Sequence, residues 1–307
     1  MNKKALISVT GPTAIGKTKL AIALANHFNT EIVSADSRQF FKEMSIGTAV
    51  PTTSELAQAK HHFIQHKSIV EPYTVGDFER EALNKIAALF KKHEVVVMVG
   101  GSGLYVNAVT EGLNNFPSVS PEIRSNLNQT LENKGLPYLQ ETLRELDPEY
   151  FGKVDVHNPQ RVIRALEVCI GSGRPYSTFI NKPKEKRDFS VITVGLKADR
   201  PVIYDRINKR VDLMMEEGLL AEAKSLHFYK SYNALQTVGY KELFRYFEGE
   251  WTLDFAIAEI KKNTRRFAKR QLTWFLKNID TFWFNYDDNL STIILKIDEE
   301  LVNLIHE

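Results

Sequence analysis

A single cysteine, Cys169, among 307 residues excludes an intramolecular disulfide and any zinc site built on cysteines. It falls in the apolar stretch of a predicted helix, which predicts a buried, inert thiol. No apolar run approaches the roughly 20 residues that cross a bilayer. There is little excess charge either, since 40 Lys and Arg against 38 Asp and Glu leave a net +2. Internal repeats and low-complexity tracts are lacking. Met1-Asn2-Lys3-Lys4 ahead of apolar residues has the outline of a secretion signal, but the run is short and no cleavage-like segment follows. A cytoplasmic location is therefore expected. The length exceeds what one compact α/β core needs, so two structural units are expected, and 43% hydrophobic residues suffice for a core.

What the chain does have begins at its first loop. Gly11-Pro12-Thr13-Ala14-Ile15-Gly16-Lys17-Thr18 has two glycines followed at once by Lys and Thr, the phosphate-cradling pattern. Its context agrees: Ala5 to Val9 reads as a buried strand, and Leu20, Ala21, Ala23, Leu24 and Phe28 as the stripe of a following helix. Backbone N–H groups in such a turn, with the positive end of the helix behind them, form a nest for oxyanions. Lys17 adds a compact charge. Thr18 offers a hydroxyl suited to Mg²⁺, a hard cation that prefers oxygen ligands. These residues alone do not separate ATP from another diphosphate.

Glu31 to Ala35 reads as a second strand, delivering Asp36, Ser37, Arg38 and Gln39 at its carboxyl end. In open α/β sheets ligands occupy the crevice at that end, so a carboxylate there can take a proton or hold a metal. A helix N-cap is the plainer role for Asp36. A third strand, Val95 to Val99, runs into Gly100-Gly101-Ser102-Gly103-Leu104-Tyr105, where a nucleotide hydrolase usually carries its metal-holding aspartate. That turn either lets backbone approach a ligand or makes a tight entry to a helix near Leu104. His61 and His62 are adjacent, point apart on helix or strand, and have no further ligand at metal spacing, so a structural role is expected.

Alternating strand and helix continue to about residue 115, and residues 116–187 then change to helix. Pro121 opens one helix, Leu136 to Leu146 form a second, and Pro159 to Ile170 form a third closed by Gly171-Ser172-Gly173. Val191 to Leu196 returns as a strand and the remainder reads mostly as helix. The expected organisation is an α/β core of 1–115 and 188–307, with a helical insertion at 116–187. Charge of one sign gathers late: between Phe255 and Lys277 there are seven Lys and Arg against the single acid Glu259, a candidate polyanion-binding helix. Arg161 and Arg164 share one helix face, as do Arg206 with Arg210 and Arg266 with Arg270. The planar guanidinium fork suits phosphate oxygens, although such pairs are also common on solvated faces.

Taken in order, these blocks resemble the tRNA dimethylallyltransferases, also called tRNA isopentenyltransferases. The resemblance runs over nearly the whole chain. It is carried by Gly11 to Thr18, Asp36 to Gln39 running on to Ile46-Gly47-Thr48-Ala49, His61-His62, Gly100 to Tyr105, Asn158 to Glu167, Val238 to Leu243 and Thr264 to Trp274. Ser102 stands where relatives often carry Thr and keeps the hydroxyl; Phe41 stands where Tyr is common and carries none. The zinc finger of eukaryotic relatives has no counterpart here.

The resemblance implies a P-loop NTPase-like parallel sheet with an inserted helical lobe. It implies transfer of a dimethylallyl group from dimethylallyl diphosphate to N6 of the adenosine 3′ of the anticodon. Asp36 would be the general base, while Thr13, Lys17, Thr18, the loop amides, Arg206, Arg210 and Mg²⁺ would hold the diphosphate. Asp36, Ser37, Arg38, Gln39, Ser102, Arg124, Gln160, Arg161, Val162, Ile163, Arg164, Gly239, Tyr240, Lys241, Arg266 and Arg270 would contact the anticodon stem-loop. A monomer is expected. Two other classes share parts of the pattern. A phosphate-loop kinase would consume ATP and leave the basic helix without a role, and a non-catalytic RNA-binding module would have no use for Lys17, Thr18 and Asp36 in one crevice. The insertion and the basic helix argue against a relative that alkylates free adenine nucleotide.

Overall fold

The computed structural model describes residues 4–180, 182 and 185–306; Met1 to Lys3, part of the amino-terminal stretch read above, lie outside them. Six strands make one sheet: β1 (Ala5–Thr10), β2 (Ile32–Ser34), β3 (His61–His62), β4 (Val95–Val99), β5 (Ser190–Lys197) and β6 (Phe282–Asn285). Their spatial order is β3-β2-β4-β1-β5-β6 and every neighbouring pair is parallel. The helices are α1 (Lys17–His27), α2 (Thr53–Gln58), α3 (Val75–Leu89), α4 (Gly103–Thr110), α5 (Pro121–Leu146), α6 (Pro148–Phe151), α7 (Pro159–Ser172), α8 (Arg200–Glu216), α9 (Leu219–Leu226), α10 (Tyr240–Phe247), α11 (Leu253–Phe275) and α12 (Leu290–His306).

Alternation along the central strands divides the apolar residues between two faces. Ile7, Val9, Val97, Ile192 and Val194 pack with Leu20 and Leu24 of α1, Ile203 and Ile207 of α8, and Ile293 and Ile297 of α12. On the opposite face Leu6, Val96 and Met98 pack with Phe78 and Ile86 of α3 and with residues of α9, α10 and α11. The α1 stripe is broader than the sequence pattern, because Ile22 and Ala25 are also buried. A parallel sheet covered on both faces, with the phosphate loop between its central strand and first helix, is the P-loop NTPase-like fold.

The chain divides into two compact units, one of Met1–Thr110 with Arg187–Glu307 and the other of Glu111–Lys186. The second has its own core of Leu127, Leu139, Leu143, Val162, Ile163, Ala165 and Leu166. Its α5 is two helices joined at Gly135 (φ 77°, ψ 172°), just before Pro137, whose ring nitrogen cannot donate. Asn158 caps α7 by accepting the amides of Gln160 and Arg161, and the helix continues through Gly171 and Ser172 to close on Gly173 (φ 67°) alone. Within the first unit, Arg187 donates to the carbonyls of Ala108 (2.6 Å) and Val109 (2.9 Å) and pairs with Glu79 (2.7 Å). The segment that returns to the sheet is thus tied to the segment that leaves it.

Two strands escape the sequence reading. β3 is made by His61 and His62 pairing with Ile32 and Val33, and β6 lies in the stretch read as helix. Both are sheet edges. β6 is fixed by register with β5 and by Trp283, whose ring occupies the space that a side chain at Gly195 would need.

Candidate active site

Because the strands run the same way and β4 lies between β1 and β2, the loops after these three strands meet at one edge of the sheet. The amide of Gly100 donates to Val9 O at 3.2 Å and that of Ala35 to Val99 O at 2.7 Å, so the three strand ends are bonded together. Gly16, at φ 112°, turns the phosphate loop into α1. Ala14 also has positive φ, 64°, and its carbonyl accepts from Nε of Arg206 at 2.7 Å. Lys17 Nζ donates to Pro12 O at 2.8 Å, folding back over its own loop.

Two cavities open on this edge. The smaller, about 490 Å³, is lined by Gly16, Lys17, Thr18, Arg206 and Arg210. The larger, about 930 Å³, is lined by Ser37, Arg38, Ser102, Lys241, Arg266, Phe267, Arg270 and Trp274 among others. They share Thr13, Ala14, Asp36, Thr48, Ala49 and Arg210. Asp36 thus stands where the two chambers meet. Its Oδ1 accepts the amide of Arg38 at 3.1 Å in an Asx-type turn, and among the described residues nothing donates to Oδ2. The residues after it form turns and no helix begins there, so Asp36 is not an N-cap.

The smaller chamber gathers buried cations. Burial pushes the Lys17 ammonium down to about 8; Asp36 opposes this, and Arg210 adds to it. Burial also lowers Arg210, with Asp36 and Glu55 opposing and Arg206 adding. An oxyanion in this chamber would offset that burial by pairing with Lys17, Arg206 and Arg210. Among the described residues no group of three or more His, Cys, Asp or Glu could hold a metal ion by itself. A hydroxyl beside a phosphate cradle fits Mg²⁺, which takes most of its ligands from substrate phosphate and water.

Two of the glycines after β4 are required by packing, and all three line one or other chamber. A side chain at Gly100 would lie 2.5 Å from Ala35 O, and one at Gly103 would lie 2.3 Å from the Trp274 ring. The missing aspartate therefore reflects a turn pressed between β2 and α11. Ser102 Oγ lies 3.0 Å from both the amide and the hydroxyl of Ser37. Both polar side chains after Asp36 are also engaged: Arg38 donates to the carbonyls of Asn233 and Ala234, and Gln39 to those of Thr48 and Ala49.

Three residues expected at the RNA surface are elsewhere. Val162, Ile163 and Tyr240 are each 0% exposed, so their side chains hold cores together. Membership of a motif block does not distinguish the two roles. Gly239 is buried and its amide donates to Glu242 Oε2 at 2.9 Å. In the second unit Arg124 donates to Gln160 and Glu167, and Arg164 to the same Glu167 carboxylate; Gln160 and Arg161 are exposed. In the first unit Lys241, Arg266 and Arg270 are exposed, whereas Lys261 and Lys262 pair with Asp212 and Glu259. Cys169 is buried, and its Sγ accepts the amide of Tyr176 at 3.3 Å.

Sequence reasoning missed Gln271. It is 7% exposed; its Oε1 accepts the amide of Thr13 at 2.9 Å, and its Nε2 donates to Gly101 O at 2.8 Å. The Thr13 amide is therefore committed to Gln271, which removes it from the loop amides expected to hold phosphate. The available signal was a glutamine in the buried stripe of α11 with Ala256, Ile260, Ala268 and Phe275. Gln271→Ala leaves both groups unpaired, so thermal unfolding should report a loss of about 1 to 3 kcal/mol. Titration should report weaker diphosphate binding.

Comparison with known proteins gives the family. The IPP transferase family model matches residues 39–278. A tRNA dimethylallyltransferase of Christiangramia forsetii is 61% identical over 96% of this chain and 98% of its own. The crystal structure of the full-length tRNA isopentenylpyrophosphate transferase from Bacillus halodurans is 37% identical, with a TM-score of 0.72 over 99% of this chain and 100% of its own. A eukaryotic dimethylallyltransferase captured in crystallographic snapshots acting on tRNA is 26% identical, with a TM-score of 0.83 over 98% of this chain and 80% of its own. By family match and by overall identity, this chain belongs to the IPP transferase family.

Proposed function

We infer that this chain is a tRNA dimethylallyltransferase. It transfers the dimethylallyl group of dimethylallyl diphosphate to N6 of the adenosine adjacent to the anticodon on its 3′ side and releases diphosphate. The observation that carries this reading is the position of Asp36, a carboxylate at the junction of a cationic chamber and a larger one lined by exposed Arg and aromatic side chains. A small-molecule phosphate-loop kinase would also need an acceptor chamber, but it would leave the exposed Arg266 and Arg270 of this one without a role.

The reacting adenine leaves its stack and enters the larger chamber, at a cost of a few kcal/mol of unstacking that new contacts offset. Arg266, Arg270 and Lys241 there, with Gln160, Arg161, Arg164 and Arg124 in the second unit, take the anticodon stem-loop by its backbone and unstacked bases. In the smaller chamber Lys17, Arg206 and Arg210 hold the diphosphate. Thr18 is the residue to hold Mg²⁺, which supplies further neutralisation of the leaving group. N6 attacks the allylic carbon, the carbon–oxygen bond breaks with its electrons leaving on diphosphate, and the proton of N6 passes to Asp36. Among the described residues no helix is long and apolar enough to cross a membrane; the cytoplasm, where unmodified tRNA is found, is the proposed location.

The test is label transfer. Protein, Mg²⁺ and unmodified tRNA receive either labelled dimethylallyl diphosphate or γ-labelled ATP. Allylic label on tRNA adenosine is the expected result, and label leaving ATP alone would overturn the reading. A pH profile checks the cradle. Diphosphate binds the charged form of Lys17, so donor affinity should be full below pH 8 and fall as the pH rises through the lysine's value of about 8. Calorimetry in buffers of different ionisation enthalpy should show proton uptake on binding in that upper range. A flat profile would remove Lys17 from the donor site.

A further inference from the structure

The wall between the two chambers is held from outside. Thr48 and Ala49 line both cavities and Gly47 lines the larger, whereas Glu222 on α9 lines neither. Yet the Glu222 carboxylate takes the backbone of that wall: Oε2 accepts the amides of Ser45 (3.0 Å) and Ile46 (2.8 Å). Oε1 accepts the amide of Gly47 (2.9 Å) and the hydroxyl of Tyr240 (2.6 Å). Four donors on two oxygens use its near-full capacity. The fully buried Tyr240 ring backs the loop so closely that a side chain at Gly47 would lie 2.7 Å from it. From the other side Gln39 grips the carbonyls of Thr48 and Ala49, and Ala49 is held at φ 51°. A loop bonded on both sides, with a strained residue at its end, has one position.

We propose that Glu222 and Tyr240 are positioning residues that set the bore of the passage beside Asp36, and so restrict the donor to a short allylic chain. This deepens the proposed function and rests on it. With the diphosphate in the smaller chamber, the allylic carbon bonded to it meets the amine beside Asp36, and the rest of the hydrocarbon chain has to find room at that junction, whose walls include Thr48 and Ala49. A wall held in one position leaves a fixed space for that chain, so a longer chain is the one it should disfavour. Glu222→Gln replaces one acceptor oxygen by an NH₂ group facing backbone N–H donors, which detaches part of the loop. Tyr240→Phe keeps the ring and removes one bond.

The experiment compares kcat/KM for dimethylallyl diphosphate and geranyl diphosphate on the same tRNA, in the wild-type chain, Glu222→Gln, Glu222→Asp and Tyr240→Phe, with thermal unfolding of each. The expected result is a rise of ~10-fold in the geranyl-to-dimethylallyl ratio for Glu222→Gln, the scale on which apolar pockets discriminate chain length. A smaller rise in the same direction is expected for Tyr240→Phe, and partial restoration of the wild-type ratio for Glu222→Asp. If Glu222→Gln does not fold, the Tyr240→Phe ratio decides. A wild-type ratio in a folded variant, even one less stable, would reduce the pair to a structural tie and overturn the proposal. Failure of the wild-type chain to transfer the dimethylallyl group would instead overturn the function itself.

Discussion

Replacing Asp36 by asparagine lowers dimethylallyl transfer by about 10²- to 10⁴-fold, the range a positioned general base contributes, and leaves tRNA affinity within about twofold. The substitution keeps the shape and the acceptor that Oδ1 offers the Arg38 amide, so the turn after β2 stays in place. What is lost is the lone pair that takes the N6 proton. The charge lost with it also matters, because Asp36 is the group that opposes the lowering of Lys17. The pH at which donor binding fails should therefore drop in the variant. Single-turnover transfer with saturating donor, alongside tRNA binding by titration, separates these effects. Wild-type turnover in the variant would mean that another group takes the proton.

Lys17→Ala has the second large effect, on the donor side alone. A charge-assisted hydrogen bond is worth about 1.5 to 3 kcal/mol, which is roughly a 10- to 100-fold rise in the donor's dissociation constant. Arg206 and Arg210 remain, so binding weakens but persists. The basic residues of the larger chamber are untouched and tRNA affinity should not change. Displacement of inorganic diphosphate in a titration measures the first quantity without turnover. Equal losses for donor and tRNA would undo the division between chambers.

Legibility in the sequence followed the range of the forces involved. The phosphate loop, β1, β2, β4 and β5 show plainly because continuous apolar runs and a glycine-lysine signature are local properties. β3 and β6 do not, because an edge strand of two or four residues exists only by pairing with a neighbour already placed. Arg206 and Arg210 could be paired from their spacing on one helix. Gln271 and Glu222 could not be assigned, because each acts on backbone groups far away in sequence, and nothing around them names those groups. Val162, Ile163 and Tyr240 failed in the opposite way: they belong to recognisable blocks, but burial is decided by the partner faces of α5, α7 and α9.

The bond between Thr13 and Gln271 spans 258 positions, and that separation bears on how the protein is made. Chains emerge from the ribosome amino end first, at ≈ 5–20 residues per second, so the phosphate loop is made well before α11. A nascent chain stopped short of α11 carries Lys17, Thr18 and Asp36 but lacks the glutamine that fixes the loop beside Gly101. The loop therefore takes up its bonded position only once α11 has been made, and until then the signature is present without the strut that fixes it.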